Sequence, residues 1–398
     1  MNRLIAPGQR LRAFALLLGL ISVVSPAVHS QTYSVLHRFT WTDGANPLAG
    51  LIASGPHLFG TTSSGGAYGA GTVFEISDEG VETVLYEFKG GADGANPEAA
   101  LILIGGNLYG TTFAGGASNA GTVFEVSVHG KEKVLYSFTG HADGTNPEAT
   151  LVQDTNGNLY GTTNLGGTED HGTVFELVRP KTTEASWTEK VLHAFGKAGD
   201  GADPVAGVSF DSSGNLYGTT SYGGTYGDGT VFELTSSKSG WTEKILHSFE
   251  QQGDGGIPYA GVVVIGGKLY GAATDGGEDG QSGGGTVFEL APSKGDWNFT
   301  ILYRLPGWGI SGSFQNLLVS SGSIYATTHC DGASSSGTVY KLTPSGSTWT
   351  STSLHEFTGG SDGMFSFSNL VLSNGALYGT TKLGGDGDNG IVFKVALP

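Results

Sequence analysis

Seven times along the chain one phrase returns: LFGTT from Leu58, LYGTT from Leu108, Leu159 and Leu216, LYGAA from Leu269, IYATT from Ile324 and LYGTT from Leu377, 50 to 57 residues apart. A glycine-rich stretch follows each, then a second phrase, GTVFEI from Gly71, GTVFEV from Gly121, GTVFEL from Gly172, Gly229 and Gly285, GTVYKL from Gly337 and GIVFKV from Gly390. A third phrase also occurs seven times, as VLHRF from Val35, VLYEF from Val84, VLYSF from Val134, VLHAF from Val191, ILHSF from Ile245, ILYRL from Ile301 and SLHEF from Ser353. Between the third phrase and the next first phrase lies a small apolar run such as AGLIAS from Ala49 or AALILI from Ala99. Each period therefore holds four short β-branched and aromatic segments, separated by Gly, Asn and Asp. Four strands in about 50 residues is the period of one blade of a β-propeller. A helical solenoid would need a 3.6-residue apolar period and few glycines inside its elements, and neither is present. The segments are apolar on both alternating faces, as expected for sheets covered on both sides.

With the four segments lettered A (AGLIAS), B (LYGTT), C (GTVFEL) and D (VLYSF), the repeat region opens on a D strand at residues 33–39 and closes on a C strand near 390–395. Pairing the two completes a seventh blade and leaves no open sheet edge. The expected fold is all-β, a single seven-bladed propeller over 31–398 with four-stranded blades, its ring closed by the N-terminal strand.

The composition agrees. Of 398 residues 69 are Gly, yet 38% are hydrophobic and 10% aromatic, too apolar for disorder and too glycine-rich for helices. One cysteine, Cys330, excludes an intrachain disulfide, so stability has to come from burial and hydrogen bonding. Residues 1–30 place Arg3, Arg10 and Arg12 before an apolar run from Ala13 to Val24, then Pro26 and small residues. This reads as a secretory signal peptide, cleaved after Ser30 or, as second choice, after Ala27; the run is too short to span a bilayer as a helix. Without that segment 36 acids face 16 bases, a field that repels phosphate backbones and anionic lipid. Nucleic acid and membrane are thus poor partners, and a secreted or periplasmic monomer meeting an extracellular glycan or protein is expected.

LYGTT, a Gly-Gly loop and GTVFEL together resemble the GloVer tandem repeat of exported bacterial proteins, and the match covers nearly the whole chain after residue 30. The resemblance implies a propeller and an extracytoplasmic location, with no established activity and no catalytic residues to carry over. Many such proteins carry a C-terminal sorting anchor. This sequence ends at Pro398 just after its last strand, so secretion or periplasmic residence is expected rather than anchoring.

In a propeller the D-to-A and B-to-C loops emerge on one face. The D-to-A loop carries Asp-Gly in six repeats, at Asp43, Asp93, Asp143, Asp200, Asp254 and Asp362, with Pro following at 47, 97, 147, 204 and 258. Turn chemistry accounts for these types, because Asp caps nearby amides, Gly supplies positive φ and Pro fixes the lead into strand A. A sharper reading makes the six aspartates, with Trp308, a repeated rim that binds glycan hydroxyls, or calcium through oxygen ligands. The Tyr or His of the third phrase (His37, Tyr86, Tyr136, His193, His247, Tyr303, His355) recurs too regularly to be a metal cluster and reads as a packed amphipathic ring.

Catalysis needs asymmetry, so the informative positions are those where one repeat departs from the rest. These are Asp275, Glu278 and Asp279 in an acidic insertion, candidates for a metal; His329, Cys330 and Asp331 in blade six; Lys382 in blade seven; and His171 in blade three. His329, Asp331, His171 and Lys382 are the catalytic candidates, although neighbours in an extended loop rarely converge and a lone Cys beside His is thin support for a nucleophile. No P-loop, HExxH, CxxC or EF-hand pattern is present. The leading expectation is a non-catalytic binder with no cofactor, calcium excepted. The alternatives are a polysaccharide lyase or glycoside hydrolase working on the top face, and a structural component of envelope or matrix.

Overall fold

The computed structural model describes residues 32–182, 185–277, 283–306 and 316–398. Seven four-stranded antiparallel sheets stand in a ring, each built in the order A, B, C, D. In blade one these strands are Ile52–Ser54, His57–Thr62, Thr72–Ser77 and Glu82–Glu87. Among the described residues the only helix is a single 3-10 turn at Gly91–Asp93, and no helix is long and apolar enough to cross a membrane.

Strands B and C are almost wholly buried, as their two-sided apolar pattern requires, whereas A and D are half-buried at the inner and outer edges of each blade. The glycine of LYGTT is the reason two buried strands can lie against an aromatic ring. Gly110 faces Phe124, and a Cβ there would lie 2.7 Å from the ring's Cζ. The ring then meets edge-on the last residue of the preceding blade's third phrase, as in Phe88–Phe124 at 5.0 Å and Phe138–Phe175 at 5.2 Å. Among the described residues there is no central core. Seven apolar clusters each span two neighbouring blades, for example Val73 and Phe88 of blade one with Leu108 and Phe124 of blade two.

The Thr pair splits its work. The second Thr bonds its counterpart within the blade, Thr112 Oγ1 to Thr122 Oγ1 at 2.8 Å, and the first donates to the next blade, Thr111 to the carbonyl of Ala149 and Thr162 to that of Ala206. The closing blade pairs Thr32–Arg38 with Ile391–Ala396. Its register slips between Val35 and His37, the place where Val84 and Tyr86 slip in blade one. The N-terminal strand is therefore strand D of blade seven, and the ring closes as the strand count requires.

Candidate functional site

The Asp-Gly turns are the most repeated feature of the top face. Asp93 accepts from the Lys89 amide at 2.7 Å and from the Tyr86 hydroxyl at 2.7 Å; Asp143 does the same with Thr139 and Tyr136. His37, His193, His247 and His355 place Nε2 2.7 to 3.3 Å from Asp43, Asp200, Asp254 and Asp362. Each of the six aspartates is thus committed to the ring of its own third phrase, and all but Asp200 also cap the loop that follows it.

A further carboxyl arrives from the next blade: Glu82, Glu132, Glu189 and Glu243 come to Asp43, Asp93, Asp143 and Asp200. Burial first, and the facing aspartate second, push Glu82, Glu132 and Glu189 up to about 7 and Glu243 to about 8. In each of the four, Oε1 is buried with no hydrogen-bond donor to it among the described residues. A protonated glutamate that donates to the aspartate satisfies it. His37, Asp43 and Glu82, and likewise His193, Asp200 and Glu243, bring donor atoms within 4.8 Å of one another. Tyr86 and Tyr136 replace the histidine in two other copies of the same clasp, so what the four copies have in common is a pair of carboxyls brought together across a blade boundary. At the corresponding place Phe299 stacks on His247 at 3.9 Å and Tyr33 on His355 at 3.5 Å.

The second loop type joins the first. Gly66 N donates to Trp41 O, Gly116 N to Gly91 O and Gly224 N to Asp200 O. Both loops therefore form one collar, and six D-to-A loops among the described residues each deliver one side chain to the mouth of the axis.

That side chain is the residue after the loop proline. Leu48, Glu98, Glu148, Val205 and Tyr259 follow Pro47, Pro97, Pro147, Pro204 and Pro258, and with Phe367 and Lys382 they line a cavity of about 240 Å³. The mouth is asymmetric, as a site for one ligand has to be. Leu48 and Val205 are apolar; Tyr259 and Phe367 are aromatic; Glu98 and Glu148 come from adjacent blades. Burial, then the charge of Glu98, raises Glu148 to about 7 even though Asn164 Nδ2 donates to it at 2.6 Å. Glu98 is raised by burial and pulled back by Lys382. Tyr259 is pushed up to about 12 by burial and then by Tyr222. The Lys382 ammonium lies 5.4 Å from the centre of the Phe367 ring.

The catalytic candidates separate. Lys382 stands in the mouth. His329 lies behind it, its ring 4.2 Å from Phe367 and 4.6 Å from Phe365, and burial followed by the Lys382 charge lowers it to about 4. Asp331 turns the other way, taking the Thr328 hydroxyl and lining a cavity between blades five and six. Burial raises the Cys330 thiol. The run of His, Cys and Asp is thus not a constellation. His171 is exposed and 3.1 Å from Asp203. Asp275 is buried, accepting from Gln251 Nε2 at 2.6 Å and from the Gly276 amide. Glu278, Asp279, Trp308 and the proposed signal segment lie outside the described residues. Glu98, Glu148 and Tyr259 were missed, although their slot signalled itself by varying between a constant proline and a small residue.

A model of the Gloeobacter/Verrucomicrobia repeat matches residues 18–188 and 178–393. The chain belongs to this family. No curated protein matches this Gloeobacter/Verrucomicrobia repeat chain in sequence. Among solved structures, it is similar to an ulvan lyase, a polysaccharide lyase determined with its saccharide bound, at 11% identity and a TM-score of 0.53, over 89% of this chain and 95% of that one. It is also similar to a puromycin hydrolase at 11% identity and a TM-score of 0.54, over 85% of this chain and 50% of the hydrolase. At such identity these likenesses bear on the fold of the repeat protein alone.

Proposed function

We propose that the protein is exported and binds an extracellular glycan through the axial mouth, without transforming it. The observation that carries this reading is the asymmetric cup of Glu98, Glu148, Tyr259, Phe367 and Lys382, about the size of one sugar residue. Aromatic faces take the apolar side of a pyranose and carboxyls accept from its hydroxyls, the usual division of labour in a small polar pocket. The clasped rim aspartates are already committed to their own loops, so the mouth is the better seat for a ligand. The likeness to a polysaccharide lyase adds the substrate class as an analogy of fold.

The test is a glycan array followed by calorimetry on the exported chain. Glu148→Gln and Phe367→Ala should each weaken binding about tenfold or more, some 1.4 kcal/mol. An absence of any glycan ligand, or new reducing ends or unsaturated products from a polysaccharide panel, overturns the reading. One observation favours a hydrolase as second reading: Glu148, held near 7 beside Glu98, is matched to proton donation at neutral pH. A lyase fits less well, because a uronate would meet two glutamates and one lysine. N-terminal sequencing of the exported protein checks the cut after Ser30.

A further inference from the structure

At the boundary between blades five and six the repeat is broken at several matched places. Ala326 stands where the other blades have glycine opposite the aromatic residue, and that residue is Tyr340 instead of Phe. The ring it would meet from the preceding blade is replaced by Leu305, and the place of the clasping glutamate is taken by Ser351. A ring in the usual position would collide with the Ala326 methyl, since even the corresponding glycines leave less than 3 Å for a Cβ. What results is a cavity of about 170 Å³ lined by Tyr340, Asp331, Glu356, Thr338, Ser351 and Ser353, together with Leu305, Pro306 and Gly332.

The cavity has the character of a built site. Tyr340 is 3% exposed and its hydroxyl has no hydrogen-bond partner among the described residues. Leaving it so costs the desolvation of the hydroxyl with nothing in return. The six other blades avoid that cost by carrying Phe. Two carboxylates, Asp331 and Glu356, share the cavity with no Lys, Arg or His in its lining among the described residues. Every polar side chain in the lining among the described residues offers oxygen and none offers nitrogen or sulfur, the donor set of a hard cation. The donors come from strands C and D and the B-to-C loop, an irregular arrangement that calcium tolerates better than magnesium does.

We propose that the cavity between blades five and six is a calcium site, in which Asp331 and Glu356 supply the charge and Tyr340 meets the ion or a water of its shell. The proposal is independent of the axial reading. Affinity in the range of extracellular modules is expected, a Kd on the order of 10⁻⁴ to 10⁻³ M.

The test is calorimetric titration of chelator-stripped full chain with CaCl₂, with Tm followed in parallel. Expected are calcium uptake and a calcium-dependent rise in Tm, both lost in Asp331→Asn and in Glu356→Gln. Tyr340→Phe restores the residue of the other blades, so it should fold and bind calcium several-fold more weakly. If either carboxyl variant fails to fold, the other and Tyr340→Phe decide. Absence of uptake, uptake unchanged in the variants, or equally strong uptake of magnesium overturns the assignment.

Discussion

At the residue scale the repeat shows why particular letters recur. Asn46, Asn96 and Asn146 hold φ of 54° to 56°, a left-handed conformation that asparagine tolerates, and each side chain donates to a carbonyl of the preceding blade: Lys382, Ser63 and Phe113. Ile257 occupies the same place at φ 51°, where a β-branched side chain is strained. Nearby, Ser221 Oγ is buried without a partner among the described residues. Ile257→Asn should therefore stabilise the protein by about 1 to 2 kcal/mol, read as a higher urea midpoint at unchanged slope. Gly110→Ala makes the opposite case. Its Cβ would meet the Phe124 ring, and a loss of about 1 to 3 kcal/mol is expected from overpacking, measured the same way.

At the scale of elements, four blade boundaries set a D-strand glutamate against the aspartate of the preceding D-to-A loop, where burial favours the protonated acid. Glu82, Glu132 and Glu189 near 7 and Glu243 near 8 all titrate above their ordinary value near 4.5. The groups facing them are Asp43 with His37; Asp93 with Tyr86 and Lys89; Asp143 with Tyr136; and Asp200 with His193 and Lys197. For a group raised in the folded state, its stabilisation is fully present below the unfolded value and is lost as pH climbs through the folded value. Tm should accordingly fall between about pH 5 and pH 9. Replacing all four glutamates by Gln, a neutral donor of the same shape, should flatten that fall. Calorimetry across the pH range decides, and a slope unchanged by the substitutions would show that the strands are clasped otherwise.

For the whole molecule the decisive element is the strand contributed by the N-terminus. Thr32–Arg38 pairs with Ile391–Ala396, while Phe39 is 1% exposed and belongs to the cluster shared by blades seven and one. Removing residues 32–39 uncovers a buried strand edge at the seam and should cost more than about 4 kcal/mol, seen as a large drop in Tm and loss of a single cooperative transition. Equal melting of truncated and full chains would contradict closure by this strand. The axial mouth depends on the same closure, because Leu48, Phe367 and Lys382 stand on either side of the seam and Glu98, Glu148 and Tyr259 come from other blades. Truncation should therefore also abolish the glycan binding proposed for the mouth.

Repeat number, strand count, closure and the face that carries both loop types were all legible in the sequence, because each is a local pattern copied seven times. Copies average out noise, and a glycine opposite a phenylalanine or an Asp-Gly before a proline has one local meaning. The site was not legible in that way. Lys382 and His329 stood out by breaking the pattern, but nothing local tells that Lys382 reaches the axis, that His329 packs behind Phe367 or that Asp331 turns toward another blade. Glu98 and Glu148 are 50 residues apart, and Tyr259 lies 111 residues beyond Glu148. They meet only because ring closure brings the same slot of every blade to one axis. Likewise the cavity at Tyr340 exists because changes at Leu305, Ala326, Tyr340 and Ser351, each tolerable alone, fall on one boundary between two blades. Sequence sets what each blade is; the packing of blade against blade decides which of its exceptions face a common space.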